Sequence, residues 1–176
     1  STSHDCVMTT FSLRKICELD LSRFSQPRIE NNRSFAWRAA WYLVNAMFFQ
    51  NAVLGLLPSQ AKAVLLRLFG AEVGHRFVCK PRVSFKYPWF LEIGNDVWIG
   101  ELAWIDNHCL VRIGSNVCIS QGTYIFTGNH DWNDPRFAFF SEPIEIGDGV
   151  WVTAFQIIGP GTTIPPHHAV LSGPGD

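Results

Sequence analysis

The sequence has little charge and no concentrated basic segment. Fourteen Lys and Arg residues stand against fifteen Asp and Glu residues in 176, the formal net charge is −1, and no run of Lys or Arg exceeds two residues. Proteins that bind nucleic acid normally present a basic stripe or patch. The composition therefore excludes nucleic acid as an expected partner and favours a neutral or anionic small molecule.

Cysteine motifs and a secretion signal are also lacking. The cysteines are odd in number and show no close CxxC spacing of the kind found in zinc or redox sites. We interpret them as small buried hydrophobic residues of a protein in the reducing cytoplasm. The chain does not open with a basic flank followed by an apolar core, so no signal peptide is predicted. The five cysteines are Cys6, Cys17, Cys79, Cys109 and Cys118.

One long uncharged run is present. The nineteen residues from Ala39 to Leu57 carry no charge, which is close to the minimum length of a membrane-spanning helix. However, Asn45, Gln50 and Asn51 lie within the run, and polar side chains are costly in hydrocarbon. We predict a helix that packs against protein, and we keep a membrane span and peripheral membrane contact as alternatives.

The first seventy residues divide into two parts. Residues 1–34 lack an apolar period and are predicted to form an irregular, loosely held N-terminal arm without a functional role. Phe35 to Leu57 has a helical pattern, Pro58 and Ser59 interrupt it, and a second amphipathic helix runs to Gly70, a natural helix stop. The expected organisation is the arm, a helical segment over 35–70 that packs on the remainder, and a β domain over 71–176.

From residue 73 onward, one aliphatic residue recurs at an interval of six. The interval lengthens to eight between Ile105 and Ile113, and some twenty residues interrupt the count after Ile125. Eleven positions follow the rule, namely Ile93, Ile99, Ile105, Ile113, Ile119, Ile125, Ile146, Val152, Ile158, Ile164 and Val170.

Glycine directly follows five of these aliphatic residues, at positions 94, 100, 114, 147 and 159. A period of six with an aliphatic and then a small residue is typical of a parallel β-helix, in which each six residues supply one short strand and one tight turn. The alternative, a β-sandwich, repeats its strands about every eight to twelve residues with alternating polarity. The sequence therefore predicts a mainly β protein, a parallel β-helix preceded by a helical segment.

The segments IGNDVWIG, RIGSNVCISQGTYI, TGNHDW and IEIGDGVWV resemble the hexapeptide-repeat acyltransferases. The resemblance is greatest to the colanic acid biosynthesis type of acetyltransferase, through YPWFLEIGNDVWIG, NVCISQG, TGNHDWNDPRF and LLRLFGAEVG, and it covers about residues 35–172. It implies a left-handed triangular prism, a homotrimer, and acetyl-CoA bound between neighbouring subunits without a metal. The implied activity is O-acetylation of a sugar hydroxyl on an exopolysaccharide or its lipid-linked precursor, in the cytoplasm or at the inner face of the membrane.

The resemblance also places a general base at His130, in the loop that follows the TG pair. A sugar hydroxyl is a weak nucleophile at neutral pH, and imidazole has a proton affinity suited to removing its proton. A side chain reaches across a groove only where the chain leaves the regular wall. Residues 127–143, where the count of six stops, are therefore predicted to be the active-site loop. Asp131, Asp134 and Glu142 are candidates for orienting the ring.

Two further residues are assigned to the acceptor side of the site. Asn107 matches a position at which the family often has an Asn or Asp that faces the acceptor, although Asn is equally typical of left-handed turns. Asp131 directly follows the base and is expected at the acceptor as well. His108, beside Asn107, is predicted to be a surface turn residue.

The resemblance assigns Trp151, Ala154 and Ser172 to the pantetheine arm of coenzyme A. A main-chain N–H near Ala154 would stabilise the oxyanion of a tetrahedral intermediate, and the alternative for Trp151 is packing between subunits. Thr153 replaces the usual glycine of the family and is expected to narrow the groove. Relatives continue past SGPGD with a basic tail that holds the nucleotide, so we expect either weaker coenzyme A binding or phosphate contacts from Arg and Lys elsewhere in the trimer.

Two other functions are weighed against this one. A zinc carbonic anhydrase on the same prism needs three converging histidines, and the histidines here lack clustered spacing. A non-catalytic trimeric scaffold has no need of a histidine in an excursion from the repeat. The sequence therefore favours the acetyltransferase. The histidines considered as metal ligands are His75, His108, His130, His167 and His168.

Overall fold

The computed structural model describes residues 15–25, 27, 29 and 33–171. Cys6 and Ser172, which the sequence analysis singled out, lie outside the described residues. A 3-10 turn at Leu21–Arg23 precedes helix α1 (Phe35–Asn45), which continues into a π-helical turn at Ala46–Gln50. A 3-10 turn at Leu54–Leu56 then leads to helix α2 (Ser59–Leu68).

The described residues after α2 form short strands joined by tight turns, with one 3-10 turn at Pro88–Phe90. The strands are β1 Glu72–Val73, β2 Val78–Cys79, β3 Ser84–Phe85, β4 Leu91–Ile93, β5 Trp98–Ile99, β6 Trp104–Asp106, β7 Val111–Ile113, β8 Cys118–Ile119, β9 Tyr124–Phe126, β10 Gly128–His130, β11 Phe139–Ser141, β12 Ile144–Ile146, β13 Trp151–Val152, β14 Ile157–Ile158, β15 Thr163–Ile164 and β16 Ala169–Val170.

Fourteen of these strands build three parallel sheets, which we call faces A, B and C, and β10 and β11 form a separate antiparallel pair. Face A contains β1, β4, β7, β12 and β15, face B contains β2, β5, β8, β13 and β16, and face C contains β3, β6, β9 and β14. Every turn of the chain adds one strand to each face in the order A, B, C. This arrangement is a parallel β-helix, so the predicted fold class is confirmed.

The aliphatic residues of the six-residue rule form the core of this helix. On face A, for example, Ile113 pairs with Ile93 on one side and Ile146 on the other. Ten of the eleven predicted positions are buried, with at most 7% of their surface exposed, and Val170 is half-buried. Each fully buried Ile contributes roughly 1.5–3 kcal/mol relative to an exposed one, so this stack of apolar side chains is the main source of stability.

The turns of the β-helix differ in length at one corner. Along face A, Glu72 pairs with Glu92, Glu92 with Arg112, Arg112 with Glu145, and Glu145 with Thr163. The last of these steps equals three repeats of six, the first two are slightly longer, and the step from Arg112 to Glu145 is much longer. The residues in excess of three repeats of six always lie between face C and face A. We call this place corner CA; it comprises residues 86–90, 107–110 and 127–143.

The helical segment covers the open end of the β-helix beside its first turn. The indole Nε1 of Trp41 donates to the Phe85 carbonyl at 2.9 Å. The buried Lys62 Nζ donates to the carbonyls of Cys79 and Lys80 at 2.9 and 3.1 Å. These bonds satisfy edge groups of β2 and β3 that have no further strand to pair with.

Asn45, one of the three polar residues of the long uncharged run, packs against protein. Asn45 is only 2% exposed, and its amide contacts the Phe85 N–H and the Ser84 hydroxyl at 3.4 and 3.3 Å. Among the helices of the described residues, none has the length and apolar character needed to cross a membrane.

Candidate active site

A cavity of about 660 Å³ lies at corner CA. Its walls come from segments far apart in the sequence. Phe24 and Arg33 precede α1, Arg38 lies on α1, and Lys86, His108 and His130 come from three successive turns of the β-helix. The residues in excess of the six-residue repeat all lie at this corner, so side chains from successive turns come together here.

The interruption of the repeat is a two-stranded antiparallel hairpin. His130 on β10 pairs with Phe139 on β11. The connecting turn is stabilised by its own acids, since Asp131 Oδ1 accepts the Asn133 N–H at 2.8 Å and Asp134 Oδ1 accepts the Arg136 N–H at 2.9 Å. Such Asx turns explain why DWNDPRF leaves the regular wall at this point.

A main-chain carbonyl orients the His130 ring. Nδ1 lies 2.8 Å from the Phe137 carbonyl oxygen, and because a carbonyl only accepts, Nδ1 must carry the hydrogen. In the neutral ring Nε2 then has a free lone pair, and it forms no hydrogen bond with any described residue. The ring is also stacked on Phe137, with centroids 4.0 Å apart and planes at 4°, and meets the edge of Phe139 at 5.5 Å.

The three acids considered for this orienting role are placed elsewhere. The Asp131 carboxylate accepts from Asn133 within the hairpin turn, and the Asp134 carboxylate pairs with Arg136 at 2.8 Å. Glu142 lies against Gly161 in the next turn of the β-helix. The role predicted for Asp131 at the acceptor stays a prediction.

His108 lies on the cavity wall as part of a charged cluster. Lys86 Nζ is 2.7 Å from Asp106 Oδ1 and 2.9 Å from His108 Nε2. Burial, reinforced by the charge of Lys86 and opposed by Asp106, lowers the pKa of His108. The ring is therefore neutral at pH 7 and accepts from Lys86 through Nε2, which puts its hydrogen on Nδ1.

The sequence predicts a surface-turn position for His108, whereas the structure places its ring on the cavity wall. Its side chain is only 18% exposed, and its ring lies 4.9 Å from Phe139, which in turn contacts His130. The sequence signal that could have identified His108 is the eight-residue step between Ile105 and Ile113. That step adds two residues at the corner that carries the hairpin.

Asn107 is completely buried beside this cluster. Its Oδ1 accepts the Tyr87 N–H at 3.0 Å, and its Nδ2 donates to the carbonyls of Tyr87 and Phe90 at 2.8 and 3.0 Å. It does not adopt the positive φ of a left-handed turn. Asn107 thus fixes the widened corner of the preceding turn, and its predicted contact with the acceptor stays a prediction.

The residues assigned to coenzyme A lie at a different corner. Trp151 points outward from face B, is 52% exposed and donates from Nε1 to the Ser120 hydroxyl at 3.0 Å. Ala154 lies in the turn between faces B and C, which we call corner BC. Thr153 directs its hydroxyl to the Val170 carbonyl at 2.7 Å. One chain therefore does not bring these residues to His130.

No group of three or more His, Cys, Asp or Glu side chains is placed to hold a metal ion in the described ranges 15–25, 27, 29 and 33–171.

The three-faced parallel β-helix is the architecture that the hexapeptide repeat predicts. No family profile matches the chain. The protein named colanic acid biosynthesis acetyltransferase WcaF of Escherichia coli (strain K12) is 34% identical over 145 residues, which cover 82% of this chain and 79% of that protein. The galactoside O-acetyltransferase of the same organism is 30% identical over 112 residues, or 62% of this chain and 55% of that protein.

Solved structures show the same fold. A hexapeptide-repeat acetyltransferase from Vibrio cholerae, complexed with acetyl coenzyme A, has a TM-score of 0.55 at 21% identity and covers 78% of this chain and 74% of its own. A second structure of that acetyltransferase gives a TM-score of 0.56 at 21% identity and covers 85% and 84%. The chain belongs to the hexapeptide-repeat acetyltransferases, and it is an enzyme that transfers acetyl groups.

Proposed function

We propose that this chain transfers acetyl from acetyl-CoA to a sugar hydroxyl in exopolysaccharide biosynthesis, with His130 as the general base. The observation that carries the proposal is the Nδ1 contact with the Phe137 carbonyl at 2.8 Å, because it leaves the Nε2 lone pair free on a ring that lines a cavity of about 660 Å³. Cavities of that size hold small ligands such as a sugar ring. The relative named for colanic acid biosynthesis supports a saccharide acceptor.

The reaction follows from this tautomer. The acceptor oxygen attacks the thioester carbonyl carbon while His130 Nε2 takes the hydroxyl proton, so a C–O bond forms as the O–H bond breaks. The tetrahedral intermediate then collapses, the C–S bond breaks, and the imidazolium returns its proton to the departing coenzyme A thiolate. The Phe137 carbonyl stabilises the imidazolium through the Nδ1 hydrogen throughout. Asp131 and Asn107 are assigned to the acceptor end of this site.

The complete site requires a second copy of the chain. His130 stands at corner CA, whereas Trp151 and Ala154, assigned with Ser172 to coenzyme A, belong to face B and corner BC. A cyclic homotrimer brings corner CA of one copy to corner BC of the next, so that the Ala154 N–H is available to the oxyanion. Exposed apolar side chains along corner BC support this contact, namely Trp98, Leu102, Trp104, Trp151, Phe155 and Ile157.

Peripheral contact with the inner face of the cytoplasmic membrane is part of the proposal. The helical segment exposes apolar side chains at Phe35, Leu43, Val53 and Leu56. An apolar helical surface of this kind binds at the interface between lipid and water. A lipid-linked saccharide acceptor would then be presented to a cytoplasmic enzyme at the membrane surface.

The test is release of free thiol from acetyl-CoA with a panel of sugars, comparing the unchanged protein with His130→Ala. Loss of a general base is expected to reduce acceptor-dependent release by about 10²- to 10⁴-fold. His75→Ala serves as the matched control, because His75 is exposed at another corner.

Equal rates for the unchanged protein and His130→Ala would remove His130 as the base. Absence of thiol release, together with no rise in melting temperature on adding coenzyme A, would instead favour the non-catalytic trimer, since a ligand of the native state must stabilise it.

A further inference from the structure

The charges around the cavity at corner CA are unequal. Arg33, Arg38 and Lys86 all line it, and of the described residues that line it none carries a carboxylate. Lys86 is neutralised by Asp106 at 2.7 Å, and His108 is neutral because burial lowers its pKa. How strongly the α1 side of the cavity attracts an anion then depends on whether Arg38 has a partner.

Arg38 has no counter-charge within the described part of the chain. Its guanidinium forms no hydrogen bond or ion pair with a described residue, and its Nε is buried without a partner. Burial and a bond to Tyr87 raise the pKa of Tyr42, so the neighbouring phenol stays neutral and supplies no negative charge. A guanidinium is always protonated in proteins, so among the described residues that line the cavity Arg38 is a cation without a counter-charge.

The position of Arg38 is unfavourable for the fold alone. Its N–H forms the first main-chain bond of α1, to the carbonyl of the capping residue Ser34 at 3.1 Å. A cation near a helix N-terminus opposes the helix dipole, and a buried donor without a partner costs stability. Both costs are removed when an anion occupies the cavity, since the helix N-terminus and the guanidinium then attract the same charge.

We propose that this cavity binds a phosphate or carboxylate group of the acceptor through Arg38, so that the acceptor is a phosphorylated or acidic saccharide. The inference rests on the proposed function, because the same cavity contains His130. Arginine presents a planar fork of donors that matches both anions, and exclusion of water strengthens the contact. The anion thus positions the sugar with a hydroxyl at His130 Nε2.

The first experiment compares matched acceptors, galactose 1-phosphate with methyl galactoside and galacturonic acid with galactose, for the unchanged protein and for Arg38→Gln. We expect at least a tenfold higher kcat/KM for the anionic member of a pair. Arg38→Gln should abolish that preference by raising the acceptor KM, with kcat and the KM for acetyl-CoA unchanged. Arg38→Lys should restore part of it, and Arg76→Gln, which removes an exposed arginine paired with Asp96, should have no effect.

The outcomes separate the possible sources of the anion. A higher KM for acetyl-CoA in Arg38→Gln would assign the cavity to the phosphates of coenzyme A and overturn the proposal. No preference for anionic acceptors in the unchanged protein, or equal loss with neutral and anionic acceptors, would also overturn it.

A binding measurement keeps the inference distinct from the proposed function. Galactose 1-phosphate and galacturonic acid are titrated calorimetrically into the unchanged protein and Arg38→Gln, after equal melting temperatures show that the variant folds. Binding that is lost in the variant supports the anion site even if no acetyl transfer is found. Transfer to neutral sugars without anion binding supports the proposed function and refutes the anion site.

Discussion

At the scale of single residues, the orientation of His130 depends on one main-chain conformation. Phe137 has φ 54°, the left-handed region that bulky residues rarely adopt. This conformation turns its carbonyl toward His130 Nδ1 while its ring stacks on the imidazole at 4.0 Å. The His130 ring is thus held by backbone geometry and by ring packing, and the two contributions are separable by substitution.

Phe137→Gly and Phe137→Val should separate them. Glycine adopts a positive φ without strain and removes only the ring, so we expect a fall in kcat of a few fold and an unchanged melting temperature. Valine disfavours this φ by roughly 1–2 kcal/mol, so the carbonyl should move, with a larger fall in kcat and a lower melting temperature. The check is kcat beside thermal unfolding, and a larger loss of kcat in the glycine variant would contradict the role of the carbonyl.

His108 should make stability depend on pH. Its folded pKa lies below the ordinary value of about 6.5 because of burial and Lys86, with His130 adding to the effect and Asp106 opposing it. Between the two values the unfolded state binds a proton that the folded state does not. This contribution to stability is therefore complete above about pH 6.5 and is lost as the pH falls toward the folded pKa.

The check is the melting temperature of the unchanged protein and His108→Gln from pH 7.5 down to pH 5. The variant should show a shallower loss in acid, and His75→Gln should match the unchanged protein. An identical acid slope in all three proteins would show that His108 does not titrate as described.

The candidate site residue in the interruption of the repeat, His130, was predictable from the sequence. The residues that earlier turns place beside it were not. His130 stood out because the count of six stops around it. His108 and Lys86 lie one and two turns earlier, and only the stacking of successive turns along face C places them beside it. The eight-residue step between Ile105 and Ile113 was a sequence signal of this proximity. It could be interpreted only once the structure showed that the extra residues of successive turns lie at the same corner.

At the scale of elements, described residues 17–24 of the N-terminal arm contact the hairpin. Cys17 donates from Sγ to the Trp132 carbonyl at 3.0 Å, and the Asp20 N–H donates to the Pro135 carbonyl at 2.8 Å. The Phe24 ring lies 5.6 Å from the His130 ring. The sequence predicts no functional role over residues 1–34, yet four described residues of that range line the cavity. Residues 17–24 show no apolar period, because they pack on the hairpin through single contacts instead of forming a long helix or a strand.

Phe24→Ala should therefore alter the reaction without unfolding the protein. Loss of the ring widens the cavity over His130, so the acceptor KM is expected to rise several fold, while the KM for acetyl-CoA and the melting temperature stay nearly constant. Leu21→Ala is the matched control, since Leu21 is 63% exposed in the same segment. Equal kinetics for Phe24→Ala and the unchanged protein would remove the arm from the site.

At the scale of the whole molecule, the faces differ in chemistry. On face A, Arg112 pairs with Glu92 at 2.7 Å and with Glu145 at 2.9 Å, which suits a solvent-facing wall. Faces B and C instead expose tryptophans, and Phe155 projects from the corner between them. Large exposed apolar patches on a folded protein mark interaction sites, so self-association is expected along corner BC.

Charged substitutions at that corner should dissociate the assembly. We expect the unchanged protein to have three times the 19.9 kDa mass of one chain, and Trp151→Glu with Phe155→Glu to lower the mass toward that of one chain and to abolish acetyl transfer. Thr163→Glu, on the charged face A, should leave both properties unchanged. Light scattering after size exclusion measures the mass, and a monomeric but fully active variant would contradict a site shared between copies.

The extra residues at corner CA also affect the free energy of folding and the tolerance of the chain to changes in sequence length. Closing the turn that carries the hairpin joins Arg112 to Glu145, a longer stretch of chain than the one that joins Glu92 to Arg112, and loop-closure entropy grows only with the logarithm of length. The extra cost is about 0.4 kcal/mol, which is small beside the burial of a single isoleucine. Corner CA is therefore a place where segments of different length and composition are interchangeable at almost no thermodynamic expense, so acceptor preference is free to diversify while the solenoid stays the same.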